Sequence, residues 1–158
     1  MAEPLSARIM RLMPQAMHMY HRLILVVAPL GAGKTAALRE VAQQTGYNYI
    51  NVNLELSQCM LELTQRQRQL QVSRLLRDII RTTHDPVVLL DNLEILFDVS
   101  LKLDPLRCLQ DVARDRTVVA AWNGAVTAGH LTYATPDHPE YRRYALEDLV
   151  IVCPEVGS

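Results

Sequence analysis

The sequence predicts an α/β fold, a parallel five-stranded sheet flanked by helices. Three observations predict it. Short apolar runs rich in β-branched residues alternate with segments of helical period along the chain. A glycine-containing turn, Ala28-Pro29-Leu30-Gly31-Ala32-Gly33-Lys34-Thr35, joins the first of those runs to the helix behind it. A second run, Val87–Leu90, is apolar at every position, as expected of a strand covered on both faces, and it ends in Asp91.

Leu5, Ile9, Leu12, Met13 and Ala16 recur at helical spacing and predict a helix over 5–20. Its methionines, Met10, Met13, Met17 and Met19, suit packing, and His18 and His21 have no metal-ligating neighbours. Leu23–Val27 is the first strand. Thr35–Thr45 reads as a helix with a small apolar face, stopped by Gly46. Tyr47–Val52 alternates and reads as a strand. A helical region covers Leu54 to Arg81, with a stripe of Val72, Leu75, Leu76, Ile79 and Ile80. After the strand at Val87–Leu90, Leu101–Arg114 is expected to be helical and Thr117–Trp122 to be another buried strand, ending at Asn123-Gly124. Thr127–Pro139 reads as a loop and Leu149–Val152 as the last strand. Sheets built this way bind ligands outside the carboxyl ends of their strands, where all the motifs below fall.

A chain of 158 residues, 49% hydrophobic and 21% charged, fits one domain: a helix at 1–20, an α/β core at 21–153 and a tail at 154–158. A net charge of −1 excludes a global basic field for nucleic acid or membrane, leaving only a local basic face open. Cys59, Cys108 and Cys153 form no paired spacing, which suits reduced thiols in the cytoplasm. No apolar run reaches the ~20 residues of a membrane span, and residues 1–11 lack a signal-peptide core.

Ala28–Thr35 fits the phosphate-loop pattern, with alanine in place of the first glycine. Backbone N–H groups wrap a phosphate only where side chains do not intrude, and the helix behind adds its positive end. Ala28, Pro29, Leu30, Gly31, Ala32 and Gly33, with Ala36 just beyond, are therefore expected to line ATP or ADP. Lys34 is expected on the β- and γ-phosphates, and the Thr35 hydroxyl on Mg²⁺. Asp91, at a strand end beside that loop, is expected to hold the same ion through its water shell. Asn92 stands where many hydrolytic ATPases carry a glutamate that orients the attacking water. On an extended chain Glu94 would face the same side as Asn92, either replacing that carboxylate or standing as an ordinary surface residue.

Asn123 can contact the γ-phosphate or the water, or it can form a turn with Gly124. Arg142 and Arg143, ahead of the last strand, are either surface residues or the arginines that reach a neighbouring subunit's nucleotide. Arg114 and Arg116 are weaker candidates for that task. The basic stripe Arg66, Arg68, Arg74, Arg77 and Arg81 suits a solvated face better than nucleic acid, with Arg74 and Asp78 spaced for an ion pair.

The order of phosphate loop, acidic strand, polar strand end and late arginines resembles the core of an AAA+ ATPase without its C-terminal helical lid. With Asp91-Asn92-Leu93-Glu94 and Leu131-Thr132-Tyr133-Ala134…His138-Pro139-Glu140-Tyr141-Arg142, it resembles the BrxF family of type 3 bacteriophage-exclusion (BREX) systems. That resemblance implies an antiphage role beside a large ATPase, a DNA methyltransferase and a phosphatase-like protein, with DNA a direct or indirect partner. It also implies an incomplete nucleotide site that a second copy completes, hence a homo-oligomer. Three readings of function follow: an oligomeric ATPase, a nucleotide-gated assembly module with little hydrolysis, and a small-molecule kinase.

Overall fold

The computed structural model describes residues 3–154. Residues 1–2 of the expected first helix and 155–158 of the expected tail lie outside the described residues. The first helix, α1, spans Leu5–Ala16 and stops four residues short of expectation. The N–H groups of His18 and Met19 fold back onto the carbonyls of Gln15 and Ala16, tightening the last turn before the chain enters the sheet. Then follow β1 (Leu23–Ala28), α2 (Lys34–Thr45), β2 (Asn48–Asn51), α3 (Val52–Met60), α4 (Gln65–Ile80) and β3 (Val87–Asp91). Two 3-10 turns, Glu94–Phe97 and Val99–Leu101, lead to α5 (Pro105–Val112). The chain finishes with β4 (Thr117–Thr127), β5 (His130–Tyr133), β6 (Arg142–Ala145) and β7 (Val150–Val152).

Five strands run parallel, as the sequence predicts, and the structure puts them in the order β2-β3-β4-β1-β7. Alternation along β1 divides the core. Ile24 and Val26 pack beneath Ile9 and Met13 of α1 and Leu38 and Val41 of α2. Leu23, Leu25 and Val27 face Leu56 of α3, Leu76 of α4 and Leu109 of α5. Both faces of the central strands are thus dry, which accounts for their unbroken apolar sequences.

Three expectations need correction. The helical region across Leu54–Arg81 is two helices. Thr64 breaks it with a capping box, its hydroxyl accepting from Gln67 N at 3.2 Å while Gln67 Oε1 accepts from Thr64 N at 2.9 Å. The helix expected from Leu101 starts only at Pro105, where Asp104 caps the Arg107 N–H at 3.3 Å. The expected Arg74–Asp78 ion pair is absent among the described residues; the Arg74 guanidinium turns to Gln71 Oε1 at 2.8 Å.

The largest departure lies between Asn123 and β7. Asn123-Gly124 is not a turn; β4 continues to Thr127. β5 then returns antiparallel along it, pairing Gly124 with Tyr133 inside the expected loop, and β6, beyond that loop, pairs with β5. The hairpin turns at Ala128-Gly129, both in the left-handed region with φ of 50° and 77°. That geometry is ordinarily signalled by Asn-Gly or Asp-Gly, so the sequence gives little warning.

Gly124 is what allows the meander to close. A Cβ there would lie 2.0 Å from the Thr132 carbonyl oxygen and 2.9 Å from Trp122 Nε1, and Trp122 Nε1 itself donates to Thr132 O at 3.0 Å. Gly124→Ala should therefore push β5 off β4. A stability loss of about 1–3 kcal/mol by denaturant unfolding is expected, the usual scale for overpacking, and an unchanged midpoint would contradict this packing.

Candidate nucleotide site

Ladder register gathers the site. Ala28 pairs with Asn123 across β1 and β4, and Asn51 pairs with Asp91 across β2 and β3. The end of each strand therefore meets its neighbour at one level. Ala28 closes β1 as ordinary strand backbone, so alanine at the head of the loop is unstrained. Gly31 and Gly33 take φ of 84° and 94°, values that a side chain would strain, and Gly33 sits at the N-terminal cap of α2. Pro29–Gly33 thus arches over β1 and opens α2 with Lys34, while Leu30 stands exposed at the tip and Ala36 lies exposed in the first turn. The N–H groups of that turn have no partner within the helix and face the loop.

Lys34 is 5% exposed, and its ammonium donates to Ala28 O at 2.7 Å and Pro29 O at 2.8 Å, holding the loop to the strand that precedes it. Burial lowers its pKa, while the charges of Asp91 and Glu94 act in the opposite direction. Asp91 is 3% exposed and has three donors. Thr35 Oγ1 and Tyr49 OH each donate to Asp91 Oδ2 at 2.6 Å, and Asn92 N donates to Oδ1 at 2.9 Å. Tyr49, the second residue of β2, was not anticipated. Its pKa is raised, chiefly by burial and also by the hydrogen bond to Asp91, and Arg39 of α2 lies over its ring at 5.4 Å.

The premise of an extended chain after Asp91 fails. Asn92 takes a left-handed backbone, with φ of 56°, one of the few side chains that tolerates it. The chain reverses there and enters the 3-10 turn that begins with Glu94. Glu94 nevertheless reaches the site. Its Oε1 accepts from the Asn123 amide, and its Oε2 accepts from Asn53 Nδ2 at 2.8 Å. Asn53, in the first turn of α3, is a second residue the sequence reading missed. Its Oδ1 accepts from Ile95 N at 2.8 Å and its N–H donates to Asn92 O at 2.9 Å, so it braces both ends of the reversal.

The late arginines stand apart from this cluster, on β6, ahead of the last strand as expected. Arg142 donates to Leu103 O at 2.7 Å, whereas Arg143 is exposed and contacts the His130 ring at 3.2 Å. Arg116 is tied to the carbonyls of Ile80 and Thr83, and Arg114 lies over Tyr20 at 5.0 Å.

The donor set suits Mg²⁺. Thr35 and Asp91 offer adjacent hard oxygens, and no group of three His, Cys, Asp or Glu side chains occurs among the described residues to form a cage of its own. Such a pair suits an ion that takes its other ligands from phosphates and water. Beside the loop opens a hollow of about 400 Å³ with a mainly apolar lining that includes Val27, Pro29, Ala32, Val126 and Cys153.

Residues 24–108 match the family described as "ATPase family associated with various cellular activities (AAA)", and this chain belongs to that family. The match includes the loop, Tyr49, Asn53, Asp91 and Glu94; Asn123 and the meander lie beyond it. No curated protein matches. The solved structure of C. elegans PCH-2 is similar in fold, with a TM-score of 0.51 and 16% identity over 97% of this chain. The chain spans 42% of that PCH-2 chain. No helix among the described residues is long and apolar enough to cross a membrane.

The left-handed Asn92 gives a direct check on this geometry. Asn92→Val should lose about 1–2 kcal/mol of stability, whereas Asn92→Gly should be nearly neutral. Equal losses by chemical denaturation would rule out strain at this residue.

Proposed function

We propose that this AAA-family chain binds ATP with Mg²⁺ and hydrolyses it slowly, with Glu94 orienting the attacking water. The observation that carries the reading is the placement of Glu94. It is braced by Asn53 of α3 and Asn123 of β4, beside the ends of β1 and β3 that carry the phosphate loop and Asp91. In this reading the loop from Ala28 to Gly33 wraps the phosphates, Lys34 neutralises their charge, and Thr35 and Asp91 hold the ion. When bound there, Mg²⁺ would supply charge neutralisation on the phosphates. Asn123 fixes Glu94 and stands beside Ala28 at the head of the loop, a position suited to sensing the γ-phosphate. The apolar hollow beside the loop suits a nucleobase held by contact area.

Both oxygens of Glu94 accept from amides in this arrangement, which favours slow turnover and gives weight to the nucleotide-gated module with little hydrolysis. A second copy would complete the site. Arg143, exposed on β6, fits the arginine that reaches across better than Arg142, which is engaged with Leu103. Resemblance to the BrxF family supports a role in bacteriophage exclusion, in the cytoplasm, alongside a large ATPase, a methyltransferase and a phosphatase-like protein, with DNA reached directly or through them.

The test is the solution mass of the protein with and without ATP–Mg²⁺, beside Lys34→Ala. An assembly that forms with nucleotide and disappears in the variant supports the shared-site ATPase; a monomer in every condition counts against it. Glu94→Gln should keep nucleotide affinity and lower kcat by about 10²-fold or more, the usual worth of a positioned base. Unchanged turnover would remove Glu94 from that role.

A further inference from the structure

Glu94 belongs to a short 3-10 turn, a conformation with poor hydrogen-bond geometry that rarely holds itself in place. Its amide partners fix the carboxylate, but the backbone beneath must be fixed from elsewhere. The turn ends in Phe97, which is 2% exposed and penetrates the core. Its ring stacks on Tyr133 of β5, with centroids 3.5 Å apart and planes 11° from parallel. Trp122 meets both rings edge-on, at 5.0 Å from Phe97 and 6.2 Å from Tyr133. Trp122 is also the residue before Asn123, the other anchor of Glu94.

The three rings therefore join the segment carrying Glu94, the strand carrying Asn123 and the antiparallel meander. The meander is itself tied down on its far side. Tyr144 of β6 donates to Asp104 Oδ1 at 2.8 Å and packs edge-on against Trp122 at 5.9 Å, while Arg142 holds Leu103 O. Aromatic pairs of this kind contribute beyond their buried area and favour a few fixed geometries, so they transmit position.

We infer that Phe97 and Tyr133 are positioning residues for Glu94, so that the β5–β6 meander, which lies outside the matched family region, sets the rate of turnover. The inference rests on the hydrolytic reading of Glu94 for its kinetic consequence, but its structural consequence stands without it. Tyr133 acts through its ring face. Among the described residues no side-chain hydrogen bond involves its hydroxyl, and its pKa is pushed up to about 12 by burial and by the nearby charges of Glu140 and Glu94.

The experiment compares the full chain with Tyr133→Leu, Tyr133→Phe and Phe97→Met. It measures ATP turnover, the affinity of a fluorescent ADP, and the side-chain amide NMR signals of Asn53 and Asn123, which donate to Glu94. Tyr133→Leu should lower kcat by about 10- to 100-fold, the effect of a sub-ångström to ångström misplacement. ADP affinity should stay within about twofold, and both amide signals should move toward their positions in Glu94→Ala. Tyr133→Phe should restore kcat and both signals. If Tyr133→Leu fails to fold, Phe97→Met, which keeps the volume but not the stacked ring, carries the same expectations. Amide signals unmoved in the folded variant would overturn the inference, whatever happened to kcat. A wild-type protein without turnover would instead overturn the hydrolytic reading, and the amide signals alone would then decide this one.

Discussion

The buried carboxylate of Asp91 is the interaction around which the upper end of the sheet is arranged. A charge nearly sealed from water costs several kcal/mol unless donors replace its hydration. Three do so here, and each comes from a different element: Thr35 from α2, Tyr49 from β2 and the Asn92 N–H from the chain reversal. Satisfying one carboxylate therefore fixes the phosphate loop's helix, the edge strand and the path toward Glu94 together. The same arrangement satisfies both charges from within: the Lys34 ammonium donates to the Ala28 and Pro29 carbonyls, and the carboxylate accepts from neighbouring hydroxyls.

The parallel sheet was legible because burial on both faces leaves a simple mark. Val87–Leu90 and Leu23–Val27 are uniformly apolar, and each is followed by a segment of helical period. The break between α3 and α4 was legible in principle, since Thr64-Gln65-Arg66-Gln67 carries a capping-box signature. The meander was not legible. Its turn uses Ala128 in a left-handed conformation, and its closure depends on a backbone approach between Gly124 and Thr132 that no local pattern encodes.

The candidate site divides the same way. Lys34, Thr35 and Asp91 stand out because phosphate and metal chemistry dictates their types and spacing. Glu94 was found through a premise that failed: two residues on an extended strand share a side, but the strand ends at Asp91 and the left-handed Asn92 redirects the chain. Asn53 and Tyr49 were invisible because nothing in their surroundings distinguishes them. Only the pairing of β2 with β3 reveals that Tyr49 and Asn53 reach carboxylates 42 and 41 residues further along the chain.

The edges of the sheet carry a consequence for how copies of this molecule meet. β2 has four residues, β7 three and β6 four, and β6 sets Arg142 and Arg143 side by side. Short edges, and in β6 a charged one, are poor templates for strand addition, so they guard against uncontrolled edge-to-edge aggregation. Any ordered assembly must then be built from side-chain surfaces and cannot grow by continuing the sheet from one molecule into the next.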